Sequence, residues 1–154
     1  MIQAWRIIKA KYAAAAFDGE GARLYGGRWS SPGTRVVYVA QSLSLATLEM
    51  LVHLQDTPIL SEYVTFSVDI PDECVESFPV GDLPRNWRDY PSPAANQAIG
   101  DRWVREARSL ALRLPSAVIV QEVNYLLNPS HGDFHHLAAS GPLKFDVDPR
   151  VMKR

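Results

Sequence analysis

The chain has 154 residues, of which 47% are hydrophobic and 21% charged, a composition that predicts one folded domain and excludes extended disorder. Its formal net charge of −1 argues against a broad nucleic-acid-binding or anionic-membrane surface. The single cysteine, Cys74, excludes an intrachain disulfide, and the N-terminal segment lacks the apolar run of a signal peptide or membrane span, so we expect a cytoplasmic protein.

Hydrophobic patterns in the first half of the chain predict three strands and one helix. Runs rich in β-branched residues are typical of buried strands, and strict apolar–polar alternation is typical of a strand with one exposed face. The expected elements are strands at 2–9, 35–40 and 62–70, and a helix that runs from an N-cap at Ser42 or Ser44 to about Gln55. The glycine-rich segment 17–34 is expected to be loop.

Prolines divide the second half of the chain. They predict a surface excursion at 71–93, a helix opened by Ser92 and Pro93 that runs to about Leu114, and further strands at 116–121 and 143–147. Strands and helices are mixed without regular β-α-β alternation. The sequence therefore predicts an α+β fold, with central mixed or antiparallel sheets and flanking helices, in a single domain over 1–154.

Glu49 is the first candidate for chemistry. It is the only formally charged residue of the expected helix from Leu43 to Gln55. A carboxylate among apolar neighbours loses hydration at a cost of several kcal/mol unless a cation or hydrogen-bond donors compensate. The residue is therefore either a functional carboxylate or one half of a structural salt bridge.

Two arginines and a tyrosine are candidates for a ligand that is both anionic and aromatic. Arg28 follows Gly26–Gly27, where the backbone can approach a phosphate closely, although a solvated loop arginine fits the same pattern. Arg6 lies within an apolar strand and is the candidate for a second phosphate contact, because a buried arginine needs a partner. Tyr38 can stack on a planar ring, or can belong to the core. No Walker or dinucleotide-binding glycine motif is present.

Three polar residues in the second half are weaker candidates. Ser116 follows the expected helix and can present its hydroxyl to a cleft, but no GxSxG elbow surrounds it, which argues against a nucleophilic hydrolase. Asn124 and Asn128 are expected to organise turns.

The histidines do not predict a metal site. His131, His135 and His136 lack the HExxH spacing, and no cysteine or carboxylate completes a recognisable ligand set. His53 is expected to pack against the rest of the protein from its helix.

Four segments together resemble the RES domain family, the toxin halves of bacterial RES–Xre toxin–antitoxin pairs. The segments are WR at 5–6, the stretch from Gly19 to His53, LPSAVI at 114–119 and NYLLNPSH at 124–131. The spacing of GGRW, the tyrosine and LE is the specific part of the resemblance. One small departure is GGRWS, where GGRWN is commoner.

The resemblance implies a set of site residues and a partner. The residues are Arg28, Glu49 and Ser116, after which the family is named, with Tyr38, Arg6 and Asn124 as further contacts to the ligand. The implied fold is similar to that of ADP-ribosyltransferases, and NAD is the implied substrate with no other cofactor. The implied partner is an Xre-family helix-turn-helix antitoxin, with a homodimer as a further expectation within that complex; neither DNA nor a membrane is an expected direct partner.

The residues and the resemblance lead to one leading function and three alternatives. Arg28 and Arg6 suit the pyrophosphate of NAD, while Glu49 can stabilise the charge that develops on the ribose as the nicotinamide leaves. Ser116 is expected to position the ribose or the nicotinamide amide. We expect an NAD glycohydrolase or phosphorolytic enzyme. The alternatives are a protein ADP-ribosyltransferase, a non-catalytic nucleotide-binding module and, less well supported, an RNA-cleaving toxin.

Overall fold

A seven-stranded mixed sheet organises the fold in a computed structural model that describes residues 1–153. The strands are β1 (Ile2–Lys9), β2 (Val37–Ala40), β3 (Tyr63–Ile70), β4 (Val75–Ser77), β5 (Ala111–Pro115), β6 (Val123–Leu127) and β7 (Ala138–Lys144). Their order is β4-β5-β6-β2-β1-β3-β7, and every neighbouring pair is antiparallel except β4 and β5. Three α-helices accompany the sheet: α1 (Glu20–Tyr25), α2 (Leu43–His53) and α3 (Ala94–Glu106). The expected α+β class is confirmed.

The register of the central strands separates two faces. Because side chains alternate along a strand, directly opposed residues share a face. One face carries two rows of opposed residues, Tyr38–Leu126–Leu112 and Ala40–Asn124–Leu114. The other face carries the buried Val37, Val39, Tyr125, Leu127 and Ala111. Helix α3 packs on the first face, where its Trp103 joins the buried cluster of Leu112, Leu114 and Leu126.

Close packing of α3 requires a glycine. A Cβ built on Gly100 would lie 1.8 Å from the carbonyl oxygen of Trp29, so no larger residue fits without displacing the backbone. Trp29 itself is only 2% exposed and lies in the core. The helix therefore clamps the glycine-rich segment that follows α1 against the sheet.

The expected elements with the clearest patterns are confirmed. Strands β1 and β3 match the predicted ranges within a residue, and helix α2 ends two residues before the expected position. Its N-cap is Ser42, whose hydroxyl accepts a hydrogen bond of 3.0 Å from the backbone N–H of Leu45.

Part of segment 17–34 is helical, and the prediction of a continuous loop there is wrong. Two of its glycines, Gly19 and Gly26, flank α1 with positive φ angles of 75° and 70°, and Gly21 is accommodated within the helix. Glu20 then pairs with Arg23 one turn later. Glycine at a helix end supplies a conformation that other residues adopt only at a cost.

The second predicted helix is too long, and the strand predicted at 116–121 is wrong. Helix α3 ends at Glu106 because Ala107 adopts the left-handed conformation, with φ 49°, and the following residues form strand β5. Segment 116–122 is the loop joining β5 to β6, closed by a 2.9 Å bond from the N–H of Ser116 to the carbonyl of Glu122. The strand itself lies at 123–127.

Two smaller differences concern the edges of the sheet. The proline-rich excursion contains the short strand β4, which pairs with β5. The last strand, β7, begins at residue 138, five residues before the start of the strand predicted at 143–147, and it pairs with β3.

Candidate functional site

A cleft of about 700 Å³ brings together five of the six residues predicted for the site. Those lining it are Arg6, Arg28, Tyr38, Glu49 and Asn124. The sixth, Ser116, lies behind the cleft with its side chain fully buried. The five come from β1, the loop after α1, β2, α2 and β6, so the complete fold is needed to assemble the cleft.

Glu49 is held by two hydrogen bonds on one carboxylate oxygen. Its Oε1 accepts from the Ser116 hydroxyl at 2.6 Å and from Asn124 Nδ2 at 2.8 Å. No hydrogen bond or ion pair within residues 1–153 involves Oε2. A carboxylate fixed in this way keeps one oxygen as a ready acceptor for a donor that enters the cleft. The structural salt bridge considered for Glu49 is absent from the described residues.

The Ser116 hydroxyl has no hydrogen-bonding capacity left for a ligand. It donates its proton to Glu49 and accepts from the backbone N–H groups of Val118 at 3.0 Å and Ile119 at 3.1 Å. One donor and two acceptor sites are all that a hydroxyl offers. The geometry therefore favours a role in orienting Glu49 over the expected contact with ribose or nicotinamide.

Asn124 does not organise a turn. It lies on strand β6 opposite Ala40, and its amide reaches Glu49 across the face of the sheet. Asn128 does have the expected turn role: it is buried, and its Oδ1 accepts from the N–H of Ser130 at 3.0 Å.

Arg28 joins the cleft to residues 84–93, which we call the strap. Its Nη1 donates to the carbonyls of Trp87 at 2.7 Å and Asp89 at 2.9 Å, while Ser92 Oγ donates back to the Arg28 carbonyl at 2.6 Å. Nε and Nη2 have no hydrogen-bond partner in the described chain and form the side of the guanidinium that can contact an oxyanion through two N–H groups. Arg28 is thus a bound residue of the cleft wall and not a solvated loop arginine.

Arg6 is a cation without an anionic partner among residues 1–153. Its Nη1 donates to the carbonyl of Tyr38 at 3.0 Å, and its buried Nε has no hydrogen-bond partner. Burial lowers the pKa of Arg6 to about 10, against a smaller opposing effect of Asp18. A buried guanidinium without a carboxylate partner is costly, and such an arginine is typical of a site that binds an anionic ligand.

Tyr38 is anchored through its hydroxyl. The oxygen accepts from the backbone N–H of Trp29 at 3.1 Å and shares a 2.7 Å hydrogen bond with Ser30 Oγ. Burial raises the pKa of Tyr38 to about 12. A Cβ on Gly27 would lie 2.5 Å from the hydroxyl oxygen, so only glycine lets the ring lie against this loop. The tyrosine lines the cleft and also fixes the position of the Arg28 loop.

Three exposed residues at the mouth of the cleft were not predicted as site residues from the sequence. Tyr90 on the strap, Tyr25 at the end of α1 and His53 at the end of α2 all line the cleft and are exposed. Contrary to the expectation that His53 packs against the rest of the protein from its helix, its side chain is exposed, and its ring centroid lies 6.2 Å from that of Tyr90. A proline-rich segment carries no pattern that would have marked Tyr90.

The histidines near the C-terminus lie apart from the cleft. The rings of His135 and His136 are tilted by 55° with centroids 4.0 Å apart, and His136 lies 3.9 Å from Asp133. No group of three or more potential metal ligands occurs in the part of the chain that the structure describes.

Comparison with known families identifies the chain. The RES domain model matches residues 3–148, nearly the whole sequence. The chain belongs to the RES domain family. This RES protein is 43% identical to a protein named Toxin Res from Yersinia enterocolitica serotype O:8 over 96% of its own length and 97% of the relative. It is 38% identical to Toxin Res from Photorhabdus laumondii, over 97% and 96% of the two chains.

Two further matches extend the comparison. The Prs ADP-ribosylating toxin of Sphingobium sp. (strain YBL2) is 34% identical over 97% of the RES chain and 96% of the relative. A chain in the crystal structure of the M. tuberculosis MbcT–MbcA toxin–antitoxin complex superposes with a TM-score of 0.77 and 20% identity, over 97% of this chain and 86% of that one. The family relatives are toxins, and the structural match confirms the fold. No helix within residues 1–153 of the RES protein has the length and apolar character needed to cross a membrane.

Proposed function

We propose that this RES protein is the toxin of a toxin–antitoxin pair and that it cleaves the nicotinamide–ribose bond of NAD. One observation carries the proposal: a single cleft is lined by an oriented carboxylate, Glu49, and by two arginines that have no carboxylate partner within residues 1–153. An anionic ligand with a reacting sugar satisfies both features. The toxin names of the family relatives support the biological role.

The two arginines suit the pyrophosphate of NAD. Arg28 offers the Nε–Nη2 side of its guanidinium, and Arg6 lines the same cleft with a guanidinium that has no anionic partner among residues 1–153. Arginine recognises phosphate oxygens through paired N–H groups, and the partly dry cleft strengthens that attraction. The dinucleotide would therefore be held at its centre, with the sugar next to nicotinamide near Glu49.

Glu49 then assists cleavage of the nicotinamide–ribose bond. As the bond between the ribose carbon and the nicotinamide nitrogen lengthens, its electron pair leaves with the nicotinamide and positive charge grows on the ribose. The free Oε2 accepts a hydrogen bond from a ribose hydroxyl and stabilises that charge, while Ser116 and Asn124 hold Oε1. Water adds to the ribosyl carbon and loses a proton, which yields ADP-ribose and nicotinamide. With phosphate as the acceptor the product is the phosphorylated form of ADP-ribose.

The test is release of nicotinamide from NAD by the purified protein, followed by mass spectrometry with and without phosphate. Glu49→Gln keeps an acceptor for Ser116 and Asn124 but removes the charge, and we expect kcat to fall roughly 100- to 1000-fold. Glu62→Gln, an exposed carboxylate outside the cleft, is the matched control and should retain activity. Intact NAD after prolonged incubation under both conditions would disprove the proposal.

Transfer of ADP-ribose to a protein is the second candidate, favoured by the relative named Prs ADP-ribosylating toxin. The same cleft chemistry applies, with a protein side chain in place of water. Labelled NAD added to a cell extract should then leave its ADP-ribose on a discrete protein band. Label found only as free ADP-ribose or its phosphorylated form would favour hydrolysis or phosphorolysis.

The partner proposed for this protein is an antitoxin that covers the cleft. The structural match to a chain of a toxin–antitoxin complex supports a partner of this kind. An Xre-type helix-turn-helix protein is the class implied by the family resemblance, and a homodimer within the complex remains part of the same proposal. Co-expression with the neighbouring gene should restore growth that the toxin alone arrests.

A further inference from the structure

The mouth of the cleft is aromatic and exposed. In the described part of the chain, three aromatic side chains of the Phe, Tyr and Trp classes are more than half exposed: Tyr12 at 54%, Tyr25 at 84% and Tyr90 at 79%. Two of the three, Tyr25 and Tyr90, line the same cleft. An aromatic ring left in water at the edge of a cavity offers a flat apolar surface that a ligand can cover.

Tyr90 is held in place by the strap and not carried on a loose loop. The neighbouring carbonyls of Trp87 and Asp89 accept from Arg28, and Trp87 also stacks on Trp29 with ring centroids 6.1 Å apart. The buried Asn96 donates to the Trp87 carbonyl at 2.7 Å. Arg88 fixes the strap from the other side, with its Nη2 3.0 Å from the Ala117 carbonyl. The tyrosine is therefore presented at little entropic cost to a ligand.

The strap links Tyr90 to the proposed phosphate contact. Asp89, the residue before Tyr90, accepts a hydrogen bond from Arg28, and the ring of Tyr90 lies 6.2 Å from that of His53. We infer that Tyr90, with His53 beside it, forms the subsite for the adenine base of a dinucleotide whose phosphates contact Arg28. The inference rests on the proposed function and names the other end of the same substrate.

The difference in solvent exposure between the two ends of the cleft indicates that adenine, and not nicotinamide, lies at the mouth. At the reacting end Ser116 is fully buried and Glu49 and Asn124 are half-buried, whereas Tyr90 is 79% exposed. Cleavage of the nicotinamide–ribose bond is favoured at the less solvent-exposed end of the cleft, where Glu49 is oriented. The adenine base takes no part in the reaction and can lie at the more exposed end. The rings of Tyr90 and His53 are tilted by 49°, so the base stacks on the free face of Tyr90 and does not enter between the two rings.

Binding of ADP-ribose, measured by calorimetry, tests the subsite without any catalysis. We expect Tyr90→Ala to raise Kd on the order of tenfold, because stacking on an aromatic side chain contributes substantially to base binding. Tyr90→Phe keeps the ring and should bind like wild type. Tyr12→Ala is the matched control, since Tyr12 is exposed but outside the cleft. Circular dichroism checks that each variant is folded.

Kinetics with a truncated substrate supply the second readout. Nicotinamide mononucleotide lacks the adenosine half, so Tyr90→Ala should raise KM for NAD on the order of tenfold, with kcat and the KM for the mononucleotide unchanged. Equal changes for both substrates, unchanged ADP-ribose binding in Tyr90→Ala, or no ADP-ribose binding by the wild type would each overturn the inference. If the wild type binds ADP-ribose through Tyr90 but leaves NAD intact, the subsite stands and the proposed cleavage fails. If NAD is cleaved and Tyr90→Ala binds ADP-ribose like wild type, the proposed cleavage stands and the adenine subsite at Tyr90 fails.

Discussion

A serine hydroxyl carries one proton and two lone pairs, and at Ser116 all three are used. The proton goes to Glu49, and the lone pairs accept from two backbone N–H groups of the loop that follows. The two backbone N–H groups thereby fix the direction of the Ser116 O–H, and this O–H in turn orients the Glu49 carboxylate. Ser116 acts on the proposed reaction through Glu49, as a positioning residue.

Ser116→Ala should separate orientation of Glu49 from contact with substrate. Loss of one of the two donors to Oε1 lets the carboxylate move, so we expect kcat for NAD cleavage to fall on the order of tenfold while KM stays near wild type. Steady-state kinetics give both parameters, and Ser116→Thr, which keeps the hydroxyl, should recover much of kcat. A rise in KM with kcat unchanged would instead support the direct ligand contact expected from the sequence.

Tyr38 should make the protein sensitive to alkaline pH. Burial raises its folded-state pKa from 10.0 to about 12, so its contribution to stability is fully present below pH 10 and is lost as pH rises through about 12. Tyr38→Phe removes this titration, and it also costs about 1–3 kcal/mol at neutral pH because the N–H of Trp29 loses its acceptor. Urea unfolding at several pH values measures both effects. Parallel stability curves for the two proteins above pH 10 would contradict the assignment.

At the scale of single residues, five of the six site residues predicted from the sequence line one cleft, but their surroundings were not predictable. An isolated carboxylate and arginines in unusual settings are visible in a sequence because burial of a charge demands compensation. The orientation of Glu49 by Ser116, and the exposure of His53 and Tyr90, depend on contacts between segments distant in the chain. No local pattern encodes those contacts.

At the scale of elements, α3 depends on a glycine that faces the backbone of another segment. Gly100→Ala would place a methyl group 1.8 Å from the Trp29 carbonyl oxygen, so the helix must shift. We expect a loss of about 1–3 kcal/mol in unfolding free energy. Gly21→Ala in α1 is the matched helical control: nothing lies within 4 Å of its added Cβ, and the change should stabilise by about 0.5–1 kcal/mol.

Urea unfolding of both glycine variants decides the point. Opposite signs at the two positions are expected from the packing. Similar behaviour of the two variants would mean that helix propensity, and not the contact with Trp29, controls the effect at Gly100.

Elements with one dominant signal were predictable, and those with competing signals were not. Strand β3 alternates regularly and α2 has a serine cap, and both formed as expected. Segment 116–121 is rich in β-branched residues, but the Ser116 side chain bonds the backbone of the next residues and forces a turn. Helix α3 stops at Ala107 without a glycine or proline to mark the end. At 116–121 a bond between a side chain and the nearby backbone outweighed the β-branched preference, and at Ala107 no residue signal marked the helix end.

At the scale of the whole molecule, Arg28 ties three separate parts of the chain together. It belongs to the segment clamped by α3, its guanidinium binds the strap, and the strap in turn binds Ala117 in the loop after β5. These hydrogen bonds therefore connect the three parts at the wall of the cleft.

Arg28→Met should loosen the strap in a way that trypsin detects. Two hydrogen bonds from a charged donor are lost, so the strap opens more often and cleavage after Arg85 and Arg88 should accelerate on the order of tenfold. Arg23→Met is the control, because it removes the ion pair of α1 without touching the strap. Equal cleavage of the two variants at these sites would show that Arg28 does not restrain the strap.

The two partners of Glu49 lie 67 and 75 residues further along the chain. During translation, Glu49 is therefore incorporated well before Ser116 and Asn124, the two residues that orient it. Under the proposed activity, nascent chains are harmless until β6 has emerged and paired with β2. Truncated products that end before that strand should spare the cell that makes them.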